Sequence, residues 1–451
     1  MDTSNKHAIS TIVEGVPFER PLLTIIGLCF LLMVCDSYDV AALSFAAPVL
    51  IKQWSLTPQA MGLIFSAGLF GLLVGSILFG WVGDRYGRKQ AMIIGALGFS
   101  VLTAATGFAR SEESLLALRF LATIGLGGAV PNAVALTSEF TPKAYRITAV
   151  GVIFAGYSIG GIAAGLSAAY VVGALGWQMM FFIGGALSLL CTCAFLLLPE
   201  SLAYLASRPE RRREAIMVAN YVRPDLKLDS TSELIPDVPA DVPRAQFSDL
   251  FRGPLMVATP LLWIVYIASA MTVFSLVSWM PVAAQSVGLS QSAAAVATAL
   301  LFAGSAVGGI VAGWIADRLG ILAVAGMGVL GFPAVAALGS LGNSAELLLP
   351  ASFFAGFFAF GGQTCLHGVV GSLYPTNVRA NGVGWAIGIN KIGSIAGPYI
   401  GGLLLSHLTG QQLFLAAASP LVVVVVVALA LWIVLSSSTR SSARSATSIV
   451  H

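Results

Sequence analysis

Twelve runs of predominantly apolar residues, most of them about 20 residues or longer, occupy most of this chain. They fall at 22–50, 58–82, 90–108, 114–138, 145–172, 177–198, 254–281, 290–315, 320–341, 347–372, 380–405 and 412–435. Inside a bilayer no water is available to backbone N–H and C=O groups. A spanning segment therefore satisfies them itself as a helix, or closes into a barrel. Continuous apolarity over this length, without the alternation of a barrel strand, selects helices. Hydrophobic residues make up 57% of the chain and charged residues only 10%, against roughly 25% charged in soluble domains. The expected class is an all-α polytopic membrane protein.

One long hydrophilic interruption divides the spans six and six. The expected organisation is an N-terminal segment 1–21, a six-helix half 22–198, a central loop 199–253, a second six-helix half 254–435 and a tail 436–451. The loop carries Pro209, Pro224, Pro236, Pro239 and Pro243, so one short surface helix over 210–222 is expected, with linker around it. Of the 23 lysines and arginines, Arg119 and Lys391 fall inside spans, and Lys52 and Arg110 in short loops on one side. All the others lie on the opposite side or at the termini. Lysine and arginine accumulate on the cytoplasmic side, which places both termini and the central loop there. Glu14, Glu19 and Arg20 precede a first apolar run too long for a cleaved signal. The five cysteines all sit in apolar segments, as packing residues and not a disulfide framework.

An internal repeat adds architecture. Gly80-Trp81-Val82-Gly83-Asp84-Arg85-Tyr86-Gly87 recurs 233 residues later as Gly313-Trp314-Ile315-Ala316-Asp317-Arg318-Leu319-Gly320. The same offset pairs Gly71 with Gly304, Gly75 with Gly308, Pro142 with Pro375, Arg146 with Arg379 and Gly151 with Gly384. The halves read as parallel duplicates, an arrangement in which a substrate site forms near mid-membrane where the halves meet.

The charges inside the spans stand out against this scaffold. Asp36 and Asp39, three residues apart, share one face of the first span. Each ionised Asp at bilayer depth costs at least ~2.5–3.5 kcal/mol on insertion scales, so the pair marks a functional site. Two nearby carboxylates can hold and release a proton between them. Lys391 lies ~18 Å along its helix from Arg379, and Asp36 ~21 Å from the same membrane face, which is a similar depth. Lys391 is expected to attract an anion, the alternative being a structural ion pair. Arg119 can pair with Asp39 or Asp36, and protonating the acid would release it. At the repeat offset, Asp36, Asp39 and Arg119 map to Ser269, Thr272 and Ser352, and Lys391 maps to Ser158. The scaffold is duplicated and the buried charges are not.

Gly80-x-x-x-Asp84-Arg85-x-Gly87-Arg88-Lys89 resembles the signature loop of the major facilitator superfamily, and the twelve spans in two halves extend that resemblance over the whole chain. More narrowly, the sequence resembles the aromatic acid:proton symporters of that superfamily. Their first span carries Asp-Gly-(Phe/Tyr)-Asp, matched here by Asp36-Ser37-Tyr38-Asp39. The fourth span is similar from Arg119 through Gly125-Leu126-Gly127-Gly128-Ala129-Val130-Pro131-Asn132 to Glu139, and the eleventh from Tyr374-Pro375-Thr376 through Arg379 to Gly382-Val383-Gly384-Trp385-Ala386. Lys391 stands where many relatives have Arg, giving a point charge in place of a bidentate fork. The resemblance implies import of a small aromatic carboxylate (hydroxybenzoate, benzoate or phenylpropionate type) with protons, by alternating access.

Residue roles follow on that basis. Asp36, Asp39, Arg119 and Glu139 are the candidates for proton coupling, although a solvated or capping role suits Glu139 equally. Lys391, Arg119, Asn132, Tyr157, Gln363 and His367 are the candidates for substrate binding, and His367 is also a possible proton relay. Tyr157 stands where antiporters of the superfamily carry proline, which favours symport, and Tyr266 is a further ring that could stack on an aromatic ligand. Gly80, Asp84, Arg85, Gly87, Arg88, Lys89 and Arg146, with Asp317, Arg318 and Arg379 of the second copy, are expected at a cytoplasmic gate. Ile321 follows Gly320 where the first copy has a base, so the second latch is expected to be weaker.

No nucleotide-binding loop or metal motif occurs, so no enzyme, cofactor, metal or nucleic-acid partner is expected. The expected setting is the bacterial inner membrane, with the chain working as a monomer on an aromatic acid and a proton. Two alternatives stay open at this stage: an exporter exchanging protons for drug-like compounds on the same fold, and a membrane sensor of aromatic acids.

Overall fold

A computed structural model describes residues 6–229, 232–235, 246–341, 344–375 and 378–447. The proline-bearing stretch 236–245, Thr376 and the last four residues of the tail lie outside the described residues. The spanning helices are α2 (Arg20–Gln53), α3 (Pro58–Tyr86), α4 (Arg88–Thr106), α5 (Glu112–Phe140), α6 (Arg146–Leu175) and α7 (Gln178–Ala194) in the first half. In the second they are α10 (Leu255–Ser286), α11 (Gln291–Leu319), α12 (Ile321–Ser340), α13 (Ala345–Leu373), α14 (Arg379–Leu405) and α15 (Gly410–Thr447). Eleven of the twelve are apolar enough to cross a membrane on hydropathy alone. The twelfth, α14, has the length but carries Asn390 and Lys391 at its centre. Large apolar side chains such as Ile77, Leu190 and Ile310 point outward, as a lipid-facing surface requires.

Local signals set the helix ends. Ser111 caps α5 by accepting from Ser114 N, and Ser290 caps α11 by accepting from Ala293 N. Gly87 and Gly320, equivalent in the repeat, break the chain after α3 and α11 at φ +109° and +55°, a region that residues with a Cβ avoid. At Gly87 a Cβ would also run into the Glu200 carboxylate.

The repeat extends to the helix crossings. Gly71 and Gly75 on α3 lie directly on the backbone carbonyls of Phe120 and Ile124 on α5. Gly304 and Gly308 on α11 lie in the same way on those of Phe353 and Phe357 on α13, which are the residues at the same offset. Small residues let helices approach this closely in a membrane. Arg146 Nε donates to the Thr141 carbonyl at 3.0 Å, and its counterpart Arg379 Nε to the Tyr374 carbonyl at 3.3 Å, again at equivalent positions.

The chain forms two compact units, and the boundary between them runs through α2, α3 and α6. The first holds Asp39 and the residues before it, Phe70–Gly160, and Gln178 through the central loop. It contains more structure than the linker expected from the prolines. Strand β1 (Lys6–Ala8) pairs in parallel with β2 (Glu233–Ile235), and α1 (Ile9–Glu14), α8 (Leu202–Ala206) and α9 (Arg212–Val222) accompany them. Ile9, Ile12 and Val13 share one buried cluster with Leu202, Leu205, Ala215, Ala219 and Val222. The spacing of Ala215, Ala219 and Val222 is that of one helical face, and its burial explains why α9 is held against other elements instead of lying on the surface. The second unit holds Val40–Leu69, Gly161–Trp177 and everything after the central loop. Within it the start of α3 is tied to the end of α14 by Ser66 Oγ donating to the Ile395 carbonyl at 2.7 Å.

Candidate functional site

The sequence places Asp39 and Arg119 in apolar helices, where a lone charge is expensive. The structure pairs them. Arg119 Nη1 donates to Asp39 Oδ1 at 2.8 Å and Nη2 to Oδ2 at 2.5 Å, a two-pronged contact between side chains that are only 2% and 1% exposed. Thr103 Oγ1 on α4 adds a bond to Asp39 Oδ1 at 3.2 Å, and the guanidinium lies 5.5 Å from the centre of the Phe181 ring on α7. Helices α4 and α5 thus hold the acid of α2, and α7 packs against its partner Arg119. Arg119 Nε is buried without a hydrogen bond. Bidentate pairing fixes direction as well as charge, and a pair so deeply buried contributes little net stability because desolvation offsets its attraction. Asp36, one turn earlier and also buried, acts electrostatically on Tyr157 of α6.

In the second unit the equivalents of this pair carry no charge. Thr272 Oγ1 is buried without a partner, and Ser352 bonds within its own helix to the Leu348 carbonyl at 2.7 Å. A neutral cluster forms one turn away. Ser269, the counterpart of Asp36, donates to Gln363 Oε1 at 2.5 Å. Gln363 Nε2 donates to Asn390 Oδ1 at 2.9 Å and lies 3.5 Å from His367 Nε2. His367 Nδ1 contacts the Tyr266 hydroxyl at 3.3 Å, and Lys391 acts on His367 through space. Gln363 and His367, four residues apart, share a face of α13, so α10, α13 and α14 all contribute.

The loop between α3 and α4 of the first half is a tied structure. Arg88 Nη2 pairs with Glu139 Oε1 at 2.9 Å, and Ser201 Oγ donates to Glu139 Oε2. Glu200 Oε1 accepts from Lys89 N at 3.0 Å and from Ser201 N at 2.9 Å, while Lys89 Nζ reaches the Leu196 carbonyl at 2.8 Å. Gly80 and Asp84 take no part in this knot. Arg85 stacks over Trp81 at 5.3 Å, and its carbonyl accepts from Arg208 Nη2 at 2.6 Å. In the second copy Arg318 likewise stacks over Trp314, at 3.9 Å, Asp317 is exposed, and Ile321 is buried where Arg88 would stand. Asn132, by contrast, commits its Nδ2 to the Gly128 and Phe79 carbonyls at 2.8 and 3.3 Å, a contact that joins α5 to α3.

The Major Facilitator Superfamily profile matches residues 29–321 and 262–449 of the chain. The chain belongs to the major facilitator superfamily. It is a multi-pass membrane transporter and not an enzyme. Among superfamily relatives, the gallate transporter of Pseudomonas putida is 34% identical, with 89% of each chain covered. The 4-hydroxybenzoate transporter of Pseudomonas putida is 32% identical over 88% of this chain and 89% of its own. The fold is shared with a bacterial homologue of the human lysosomal transporter Spinster in an inward-facing, occupied conformation, at a TM-score of 0.70 and 18% identity, covering 92% of this chain and 97% of that one.

Several members of these networks in the superfamily transporter carried no sequence signal strong enough to find them. Thr103, Ser201 and Asn390 are ordinary polar residues whose partners lie far along the chain. Glu200 left a faint trace, as a carboxylate directly after the sixth span that is only 4% exposed.

Proposed function

We propose that this transporter imports a small aromatic carboxylate of the hydroxybenzoate, benzoate or phenylpropionate type together with protons, by alternating access across the bacterial inner membrane, with both termini in the cytoplasm. The observation that carries the reading is the buried Asp39–Arg119 pair with Asp36 one turn away. A charge pair that contributes little net stability suits a switch, because a proton on the acid weakens its hold on the guanidinium. In this reading the two first-span acids carry the proton between them, and parting of the Asp39–Arg119 pair frees the guanidinium. In the other half Lys391 attracts the carboxylate, with Gln363 and His367 contributing to the ring site. The names of the two relatives, a gallate and a 4-hydroxybenzoate transporter, support an aromatic acid as cargo.

Arg88, Glu139, Lys89, Glu200 and Ser201 serve in this reading as the inner gate of the first half, with Glu139 passing the gate's state to the fourth span. Asp84, Arg85 and Arg146 belong to the same gate, and Asp317, Arg318 and Arg379 form its simpler counterpart. The test is uptake of a panel of labelled aromatic acids into proteoliposomes under an inside-alkaline pH gradient, measured against protein-free vesicles, which report passive entry of the neutral acid. Gradient-stimulated uptake of at least one acid above that baseline is expected. No such uptake for any acid in the panel would overturn the function and leave the fold standing.

A further inference from the structure

The polar cluster of the second unit contains more specificity than a cation for a carboxylate needs. Its hydrogen-bond directions can be followed from end to end. Tyr266 has one hydroxyl hydrogen, and it points at the Leu366 carbonyl oxygen at 3.3 Å. The tyrosine oxygen is then the acceptor for His367 at 3.3 Å, which places the hydrogen of the neutral imidazole on Nδ1. His367 Nε2 is left as an acceptor. Its neighbour in the protein is the Gln363 amide nitrogen at 3.5 Å, too far to saturate it. Gln363 cannot turn to improve that contact. Ser269 Oγ donates to its Oε1 at 2.5 Å, and its Nε2 donates to Asn390 Oδ1 at 2.9 Å. The His367 side chain is exposed, while Ser269 and Asn390 behind it are buried. A network serving only to join helices would close on itself. Here His367, on the exposed side of the network, keeps Nε2 short of a full hydrogen bond within electrostatic reach of Lys391.

We infer that His367 Nε2 accepts a hydrogen bond from a ring hydroxyl of the substrate, and that Tyr266, Ser269, Gln363 and Asn390 are positioning residues that keep this nitrogen an acceptor facing the ligand. The inference rests on the aromatic-carboxylate reading and refines it to phenolic acids over unsubstituted ones. With the carboxylate drawn to Lys391, a hydroxyl elsewhere on the ring meets this acceptor. Benzoate leaves that acceptor facing a C–H edge. A site arranged to hydrogen-bond a substrate hydroxyl discriminates against the analogue lacking it, because its own polar atom then goes unpaired.

Binding of benzoate, 3-hydroxybenzoate and 4-hydroxybenzoate to the purified full-length protein, measured by titration calorimetry in detergent, tests this. The better of the two hydroxy acids is expected to bind about tenfold more tightly than benzoate, the discrimination a single well-placed hydrogen bond supplies. In His367→Leu the ratio falls to near one. In Ser269→Ala, a small change on another helix, the ratio falls in the same direction because Gln363 is freed to turn. A ratio taken within one variant is insensitive to how much of that variant is folded, and a merely structural role for Ser269 would not move it. Equal binding of benzoate and both hydroxy acids to the unaltered protein, or a ratio unchanged in both variants, would overturn the inference while leaving the aromatic-carboxylate reading intact. Failure of all three acids to bind would overturn both.

Discussion

At the residue scale, Asp39 and Arg119 form the most deeply buried ion pair among the described residues. Removing one partner leaves the other buried and uncompensated, which typically costs about 3–5 kcal/mol. Asp39→Asn and Arg119→Gln are each expected to lower the thermal unfolding midpoint of the detergent-solubilised protein by several degrees. The double variant should recover part of that loss without recovering gradient-driven uptake. Equal midpoints for the singles and the unaltered protein would show that the pair does not persist in the membrane protein as purified. The sequence makes the cost of these charges visible, because two acids and an arginine inside apolar helices need a reason to be there. It cannot choose between Asp36 and Asp39 as the partner of Arg119. That choice depends on how α2 is rotated against α5 and on Thr103 of α4, which supplies a second bond to Asp39 alone.

At the element scale, the repeat predicts matched behaviour of matched crossings. Gly75 and Gly308 each lie on a carbonyl of the neighbouring helix, whereas Gly98 has nothing within 4 Å of where its Cβ would be. Gly75→Ala and Gly308→Ala should therefore each destabilise by about 1–3 kcal/mol, the usual cost of overpacking, and Gly98→Ala should be neutral or slightly stabilising through helix propensity. Thermal midpoints of the three variants check this directly. The twelve helices are legible in the sequence because twenty apolar residues in lipid permit little else, and the 233-residue offset exposes the crossings. The small structure built from β1, β2, α1, α8 and α9 is not. It depends on a strand pairing between residues 6–8 and 233–235, and three-residue strands carry no periodicity to read. The tie at Glu200 and Ser201 is hidden for another reason, since its partners Lys89 and Glu139 lie far back along the chain. Ser201→Ala removes a hydrogen bond to Glu139 and is expected to cost about 1 kcal/mol. It should also quicken proteolysis of the central loop in inside-out vesicles, and an unchanged cleavage rate would argue against the tie.

At the scale of the whole molecule, the duplicated scaffold and the unduplicated charges have separate roles. The crossings and the Arg146 and Arg379 contacts repeat, as a structure that rocks between two states would use symmetry. The Asp39–Arg119 pair has Thr272 and Ser352 as its counterparts, and Asp36 has Ser269, so the buried acids sit in one half and the neutral polar cluster with Lys391 in the other. The central claim is that the acids of the first span couple substrate movement to protons, and it separates two activities that transport assays distinguish. Exchange of labelled for unlabelled 4-hydroxybenzoate across proteoliposomes needs alternating access but no net proton movement, whereas uphill uptake needs both. The decisive measurement is this pair of assays on Asp36→Asn, with protein-free vesicles subtracted. Exchange is expected to persist in this variant while gradient-driven accumulation is lost. Undiminished accumulation in Asp36→Asn would contradict it.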